Sequence, residues 1–260
     1  MTRPPILAAV AAALLLAAAP ARAELFAIRN ATVHTAGPAG TLQGATVVVR
    51  NGHIEAVGSA VRPPAGATVI DARGQPLTPG LIAARSHLAL VEIDGVDETN
   101  DVATGQKRYS AALDVADALN PRSALLPITR LDGVTRAMVA PASEAGGSLI
   151  AGQGAIISLA GLLADGGQWI VRPRAAMFAT LGEAGQALAG SRPAALAALR
   201  EAFEEARGDG LRLGSGLSGD AQLGPLDIAA LRAVLNRELP LVLAAERASD
   251  IVAALKLAQD

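Results

Sequence analysis

From Gly80 onward the chain alternates short apolar runs with stretches of helical period, and no other feature limits the fold as strongly. Val134-Thr-Arg-Ala-Met-Val-Ala140 and Leu239-Pro-Leu-Val-Leu-Ala-Ala245 have the length and composition of buried strands. Ala111 to Leu119, Ser123 to Leu131, Pro193 to Arg207 and Pro225 to Asn236 have helical composition, with Asn120-Pro121 separating the first two. The third is best supported by its own residues. Ser191 is placed to cap it, Pro193 falls in its first turn, and Leu196, Leu199 and Phe203 form one apolar stripe. A last helix is predicted to start at Ser249 or Asp250. Strands that alternate with helices predict βα units around a parallel sheet or barrel.

The region before Gly80 has a different, β texture. Phe26 to His34 alternates loosely, and Ala45-Thr-Val-Val-Val-Arg50 leads through Asn51-Gly52 into His53-Ile-Glu-Ala-Val57. Asn-Gly between two β-prone runs is a strong hairpin signal, because both residues tolerate positive φ. Arg62-Pro-Pro-Ala-Gly66 is a stiff connector before a further short strand, Thr68-Val-Ile-Asp71. A unit this small does not bury a full core alone.

Composition removes several function classes. The 260 residues suffice for one large domain or two small ones, and 51% apolar with 18% charged residues describes a globular chain. With 22 basic and 24 acidic residues and no block of like charge, neither nucleic acid nor an anionic membrane surface is expected as a partner. Cysteine is absent, which excludes thiolate catalysis, thiolate metal sites and disulfides. Only three histidines exist, His34, His53 and His87. The first two lie in the β region and are read as surface or strand-pairing residues.

Residues 1–23 have the layout of a cleavable secretory signal: Arg3, an apolar run from Ile6 to Ala19, then Pro20-Ala21-Arg22-Ala23. The run of about 14 residues is short for a membrane span, which needs roughly 20. Cleavage is expected after Ala23, giving a periplasmic or secreted protein without a stable membrane anchor. Loss of Arg3 and Arg22 leaves 20 basic against 24 acidic residues, a net charge of −4.

Nucleotide and serine-hydrolase motifs do not fit. Gly152-Gln-Gly154 lacks the third glycine of the dinucleotide fingerprint and leads into a predicted strand, Ala155 to Leu159, rather than a helix. No Walker lysine pattern is present, and Gly214-Ser-Gly-Leu-Ser-Gly219 is not G-x-S-x-G.

Leu77-Thr-Pro-Gly-Leu-Ile82, followed by Ala84, Ser86, His87 and Leu88, resembles the "(V/L)-T-P-G-(L/F)-I-D-x-H-x-H" signature of the amidohydrolase superfamily, imidazolonepropionase-like in type. The approach through Ala45 to Gly58 and Val69-Ile-Asp-Ala-Arg-Gly74 is similar to that family's N-terminal β-sandwich. The resemblance covers residues 25–90 most closely. It implies an α/β chain: part of a β-sandwich domain over 24–76, then an incomplete (β/α)8 TIM-type barrel over 77–260. It also implies a hydrolase of C–N bonds in amides or cyclic amides acting on a small-molecule substrate. One or two divalent metals, often zinc, would lower the pKa of a bound water there.

Against that signature, Ala83 replaces the aspartate, Arg85 the first metal histidine, and His87 alone corresponds to a ligand. A guanidinium stays protonated and cannot ligate a cation. Ala244 and Ala245 stand where a later histidine is found in many relatives, and Glu246 offers only oxygen. Glu92, Asp94, Asp97, Glu98 and Asp101 are the remaining candidate groups, suited with His87 to Mn²⁺ or Mg²⁺, or else form a solvated acidic loop. About 180 residues follow Gly80, whereas such a barrel takes about 250. The expectation is therefore a truncated or non-catalytic remnant, completed by an oligomer or a missing C-terminal half. A complete domain of another α/β type is the alternative.

Overall fold

A computed structural model describes residues 24–105, 110–161, 167–208 and 223–259. The expected signal segment, residues 1–23, and Gly214–Gly219 lie outside the described residues. The chain divides into two compact units, Met1–Pro79 and Gly80–Asp260.

The described part of the first unit is one five-stranded sheet: β1 (Leu25–His34), β2 (Thr41–Arg50), β3 (His53–Gly58), β4 (Thr68–Asp71) and β5 (Pro76–Leu77). The order is β3-β2-β1-β4, and β5 also pairs with β1. β1, β2 and β3 are antiparallel neighbours, whereas β4 and β5 run parallel to β1. The hairpin forms where Asn51-Gly52 predicts it, with φ of 49° and 76° at the two turn residues. Ala31, Val33, Ala45 and Val47 make a small buried cluster on this sheet. Asp71 ends β4 and gathers four donors: the Nε (3.2 Å) and Nη2 (3.0 Å) of Arg29, the amide of Asn30 and the backbone N–H of Arg73. The Arg73 N–H first, and the Asn30 amide second, hold its carboxyl below the usual range. His34 bonds Thr41 through Nδ1 at 3.0 Å, and His53 pairs in register with Arg50. Both are exposed strand residues.

In the second unit a sheet of order β10-β9-β8-β7-β6 is built from β6 (Leu81–Ser86), β7 (Val134–Val139), β8 (Ile150–Ser158), β9 (Ile170–Thr180) and β10 (Leu241–Ala244). β6 and β7 are parallel, as are β9 and β10, but β8 is antiparallel to both neighbours. The sheet is thus mixed, a correction to the wholly parallel arrangement expected. Antiparallel strands need no helical crossover, and the link from Val139 to Ile150 contains no helix.

Among the described residues five helices accompany it: α1 (Leu125–Leu131), α2 (Gly182–Ala189), α3 (Arg192–Arg207), α4 (Pro225–Leu235) and α5 (Ala248–Leu257). α3 is the helix that its sequence predicts. The Ser191 hydroxyl accepts from Ala194 N at 3.2 Å, and Ala195, Leu199, Phe203 and Ala206 are buried in one cluster with Met177, Ala179, Leu181 and Leu231. Ser191→Ala is expected to lower stability by about 1 kcal/mol in urea unfolding, since it orphans a helix-end donor. Arg192 and the buried Asp250 place the first turns of α3 and α5 within ion-pair distance, 3.4 Å.

One local expectation changes, and two elements are added. Ala111–Leu119 is not a helix. It is an extended strap with a 3-10 turn at Val115–Asp117, and its backbone bonds go to β8: Gln153 N donates to Leu113 O at 2.7 Å. β9 and α2 have no counterpart in the sequence reading. Arg172-Pro173-Arg174 interrupts the apolar pattern of β9, and α2 is short and rich in glycine and alanine.

Candidate active-site edge of the second sheet

β6, β7, β9 and β10 run in one direction, so their C-terminal ends share one edge of the sheet. Ligand sites of α/β sheets are built at that edge. His87 follows β6 there, Ala140 follows β7, Leu181-Gly182 follows β9, and Ala245-Glu246 follows β10.

His87 lies one residue past the last paired position of β6, Ser86 opposite Val139. Its carbonyl accepts from Leu90 N (3.0 Å) and Val91 N (3.2 Å), closing a tight turn in which Ala89 has φ 66°. The β6–β7 register shifts between Ala83 and Ser86, so the strand is irregular across Ala84 and Arg85. The simple rule that i and i+2 share a strand face therefore does not apply to Arg85 and His87. Partial burial first, and the Arg85 guanidinium second, push the His87 imidazole below its ordinary pKa. At neutral pH the ring is uncharged.

The acidic residues after the motif sit on a loop that closes on itself. Val91 and Asn100 form a bridge, the Thr99 hydroxyl bonds Ile93 and Val96, and Asp97-Glu98-Thr99 is a 3-10 turn. Glu92 accepts from the Asn120 amide at 3.0 Å, while Asp94, Asp97, Glu98 and Asp101 are exposed. Glu246 is engaged locally as well. Its carboxylate accepts from Glu183 N at 2.9 Å in the first turn of α2 and packs on Gly182, whose φ is 61°. A Cβ at Gly182 would collide with Glu246 Oε2.

These donors do not fit the metal centre that the resemblance implies. Among the described residues no three of His, Asp and Glu converge as a metal group. His87 is the second unit's single histidine, no cysteine exists, and zinc sites are built mainly on nitrogen and sulfur ligands. Arg85 adds a fixed positive charge beside the one imidazole.

Two glycines within β8 also find their explanation here. A Cβ at Gly152 would meet Leu113 O at 2.7 Å, and one at Gly154 would meet Val139 O at 2.6 Å and the Phe178 ring. They permit close packing, not phosphate binding. Sequence reasoning passed over Asp227, which is buried and accepts from Ser110 N (3.0 Å), Ala112 N (2.9 Å) and Gly224 N (3.1 Å). Its place in the first turn after Pro225 was the available signal.

No family model matches the chain. A dihydroorotase from Geobacter sulfurreducens is 34% identical over 100 residues, 38% of this chain and 22% of that protein. An amidohydrolase from Thermotoga maritima superposes with a TM-score of 0.74 at 24% identity, covering 90% of this chain and 61% of its own. The chain is thus similar in sequence to part of a dihydroorotase and similar in fold to an amidohydrolase. A putative prolidase from Bifidobacterium longum is 39% identical over 25% of this chain and 17% of its own, with a TM-score of 0.23 that is too low to bear on the fold. The mixed α/β second unit and the separate sheet before it are each compatible with part of an amidohydrolase fold. The chain spans less than two thirds of these relatives' own lengths.

Proposed function

We propose that this is an exported protein of the C–N hydrolase lineage in which the described residues keep the amidohydrolase scaffold without the family's metal centre. In this reading the first unit is part of a β-sandwich and the second is part of a (β/α)8 barrel. The observation that carries it is Arg85: a permanently protonated group stands beside the one histidine of the strand-end edge. The test is metal content together with hydrolysis of cyclic-amide and N-acyl substrates, with zinc and manganese supplied. Metal far below one ion per chain, unchanged in His87→Ala, is expected, with no metal-dependent hydrolysis. Stoichiometric zinc or manganese that disappears in His87→Ala would overturn the proposal.

One observation favours a second reading, an active hydrolase of C–N bonds. His87 is at the C-terminal end of a barrel-type strand, where such enzymes work, and its imidazole is neutral and able to ligate. That reading needs oxygen ligands from other residues to complete a site for Mn²⁺ or Mg²⁺. Metal-dependent turnover lost in His87→Ala would establish it.

A further inference from the structure

We infer that the C-terminal end of β6 is a carboxylate-binding site in which the Arg85 guanidinium holds the anion; this rests on the scaffold reading above. Arg85 is exposed, and among the described residues it makes no ion pair or hydrogen bond. It stays unpaired although five carboxylates follow between Glu92 and Asp101; Glu92 is engaged by Asn120, and the others leave the guanidinium free.

Location and chemistry agree on the ligand class. Arg85 is the penultimate residue of β6, on the strand-end edge where sheets of this type bind ligands. The register irregularity between Ala83 and Ser86 includes Arg85, and such irregularities are common beside functional sites. Ser86 Oγ donates to Met138 O at 3.2 Å, which pins the next residue to β7 and keeps the base of Arg85 in place. A guanidinium presents two parallel N–H groups that match the two oxygens of a carboxylate. A divalent cation is repelled by the same guanidinium.

The test is titration of the ¹⁵N-labelled purified protein with acetate, chloride holding the ionic strength constant, read at the Ser86 and His87 amides and the Arg85 Nε–H. Saturable shifts are expected. Arg85→Gln should weaken acetate binding at least about tenfold, the change for loss of one charge-assisted pair, and Arg85→Lys should fall between. Absence of saturable shifts, or equal affinity in Arg85→Gln, overturns the inference and leaves the scaffold reading standing. Acetate binding that requires added zinc and is lost in His87→Ala overturns both.

Discussion

Gly152→Ala is expected to destabilise the second unit by about 3 kcal/mol, combining backbone strain with an unrelievable clash. Gly152 has φ 125°, a conformation that L-residues rarely adopt. An added Cβ would lie 2.7 Å from Leu113 O and 2.9 Å from Leu113 Cβ. Leu113 belongs to the strap laid across β8, and its carbonyl already accepts from Gln153 N, so the strap cannot withdraw without losing that bond. The Gln153 side chain, which donates to Ala111 O at 3.0 Å, ties the same segment down from the other side. The measurement is urea unfolding followed by the fluorescence of Trp169, the single tryptophan, buried in the core of this unit. Gly133→Ala is the control, because Gly133 also has positive φ (82°) but no atom within 4 Å of the added Cβ. It should cost about 1 kcal/mol, from the backbone conformation alone. Equal losses in the two variants would show that the close approach of the strap does not matter.

Removing the Asp227 carboxylate should have an effect of similar size. Asp227→Ala strands the N–H groups of Ser110, Ala112 and Gly224 around a site that is 1% exposed. Burying a donor without an acceptor costs about 1–3 kcal/mol for each group, and partial access of water lowers the total to about 3 kcal/mol. Asp227→Asn keeps one carbonyl oxygen for Ser110 and Ala112 but turns an amide toward the Gly224 N–H. A loss of about half that in the alanine variant is expected. Hydrogen exchange supplies an independent readout: the Ser110 and Ala112 amides should lose protection in Asp227→Ala while the α3 amides keep theirs. An alanine variant within about 0.5 kcal/mol of the parent would show that the three bonds contribute little.

Both predictions concern a part of the fold that local sequence does not specify. Ala111–Leu119 has helical composition, yet it becomes a strap because Gln153 of β8 donates to it through both its backbone N–H and its side-chain amide, and Asp227, more than a hundred residues on, caps its start. The antiparallel direction of β8 is equally hidden. Its burial on both faces gives the same continuous apolar run that a parallel strand would show. In β9 the Arg172-Pro173-Arg174 segment masks strand character that pairing with β8 enforces. Where local and tertiary preferences agree, the elements are readable. The Ser191 cap with Pro193, the Asn51-Gly52 turn and the apolar run of β7 each carry their own physical signal.

The same division holds for the candidate site. Residue type alone settles that the second unit has one histidine, no thiolate and an arginine at the end of β6, because a guanidinium does not deprotonate in any fold. The resemblance is legible in Leu77–Leu88 because the turn at Pro79-Gly80 and the strand after it are local. Gly80 is required there, since a Cβ would run into the Thr135 side chain. What the free carboxylates do is a matter of tertiary structure. Only the folded chain shows Glu246 capping α2 and Asp227 anchoring the strap, because each partner is a backbone N–H brought from a distant part of the sequence. Composition counts the charges, and packing decides which of them are left for a ligand.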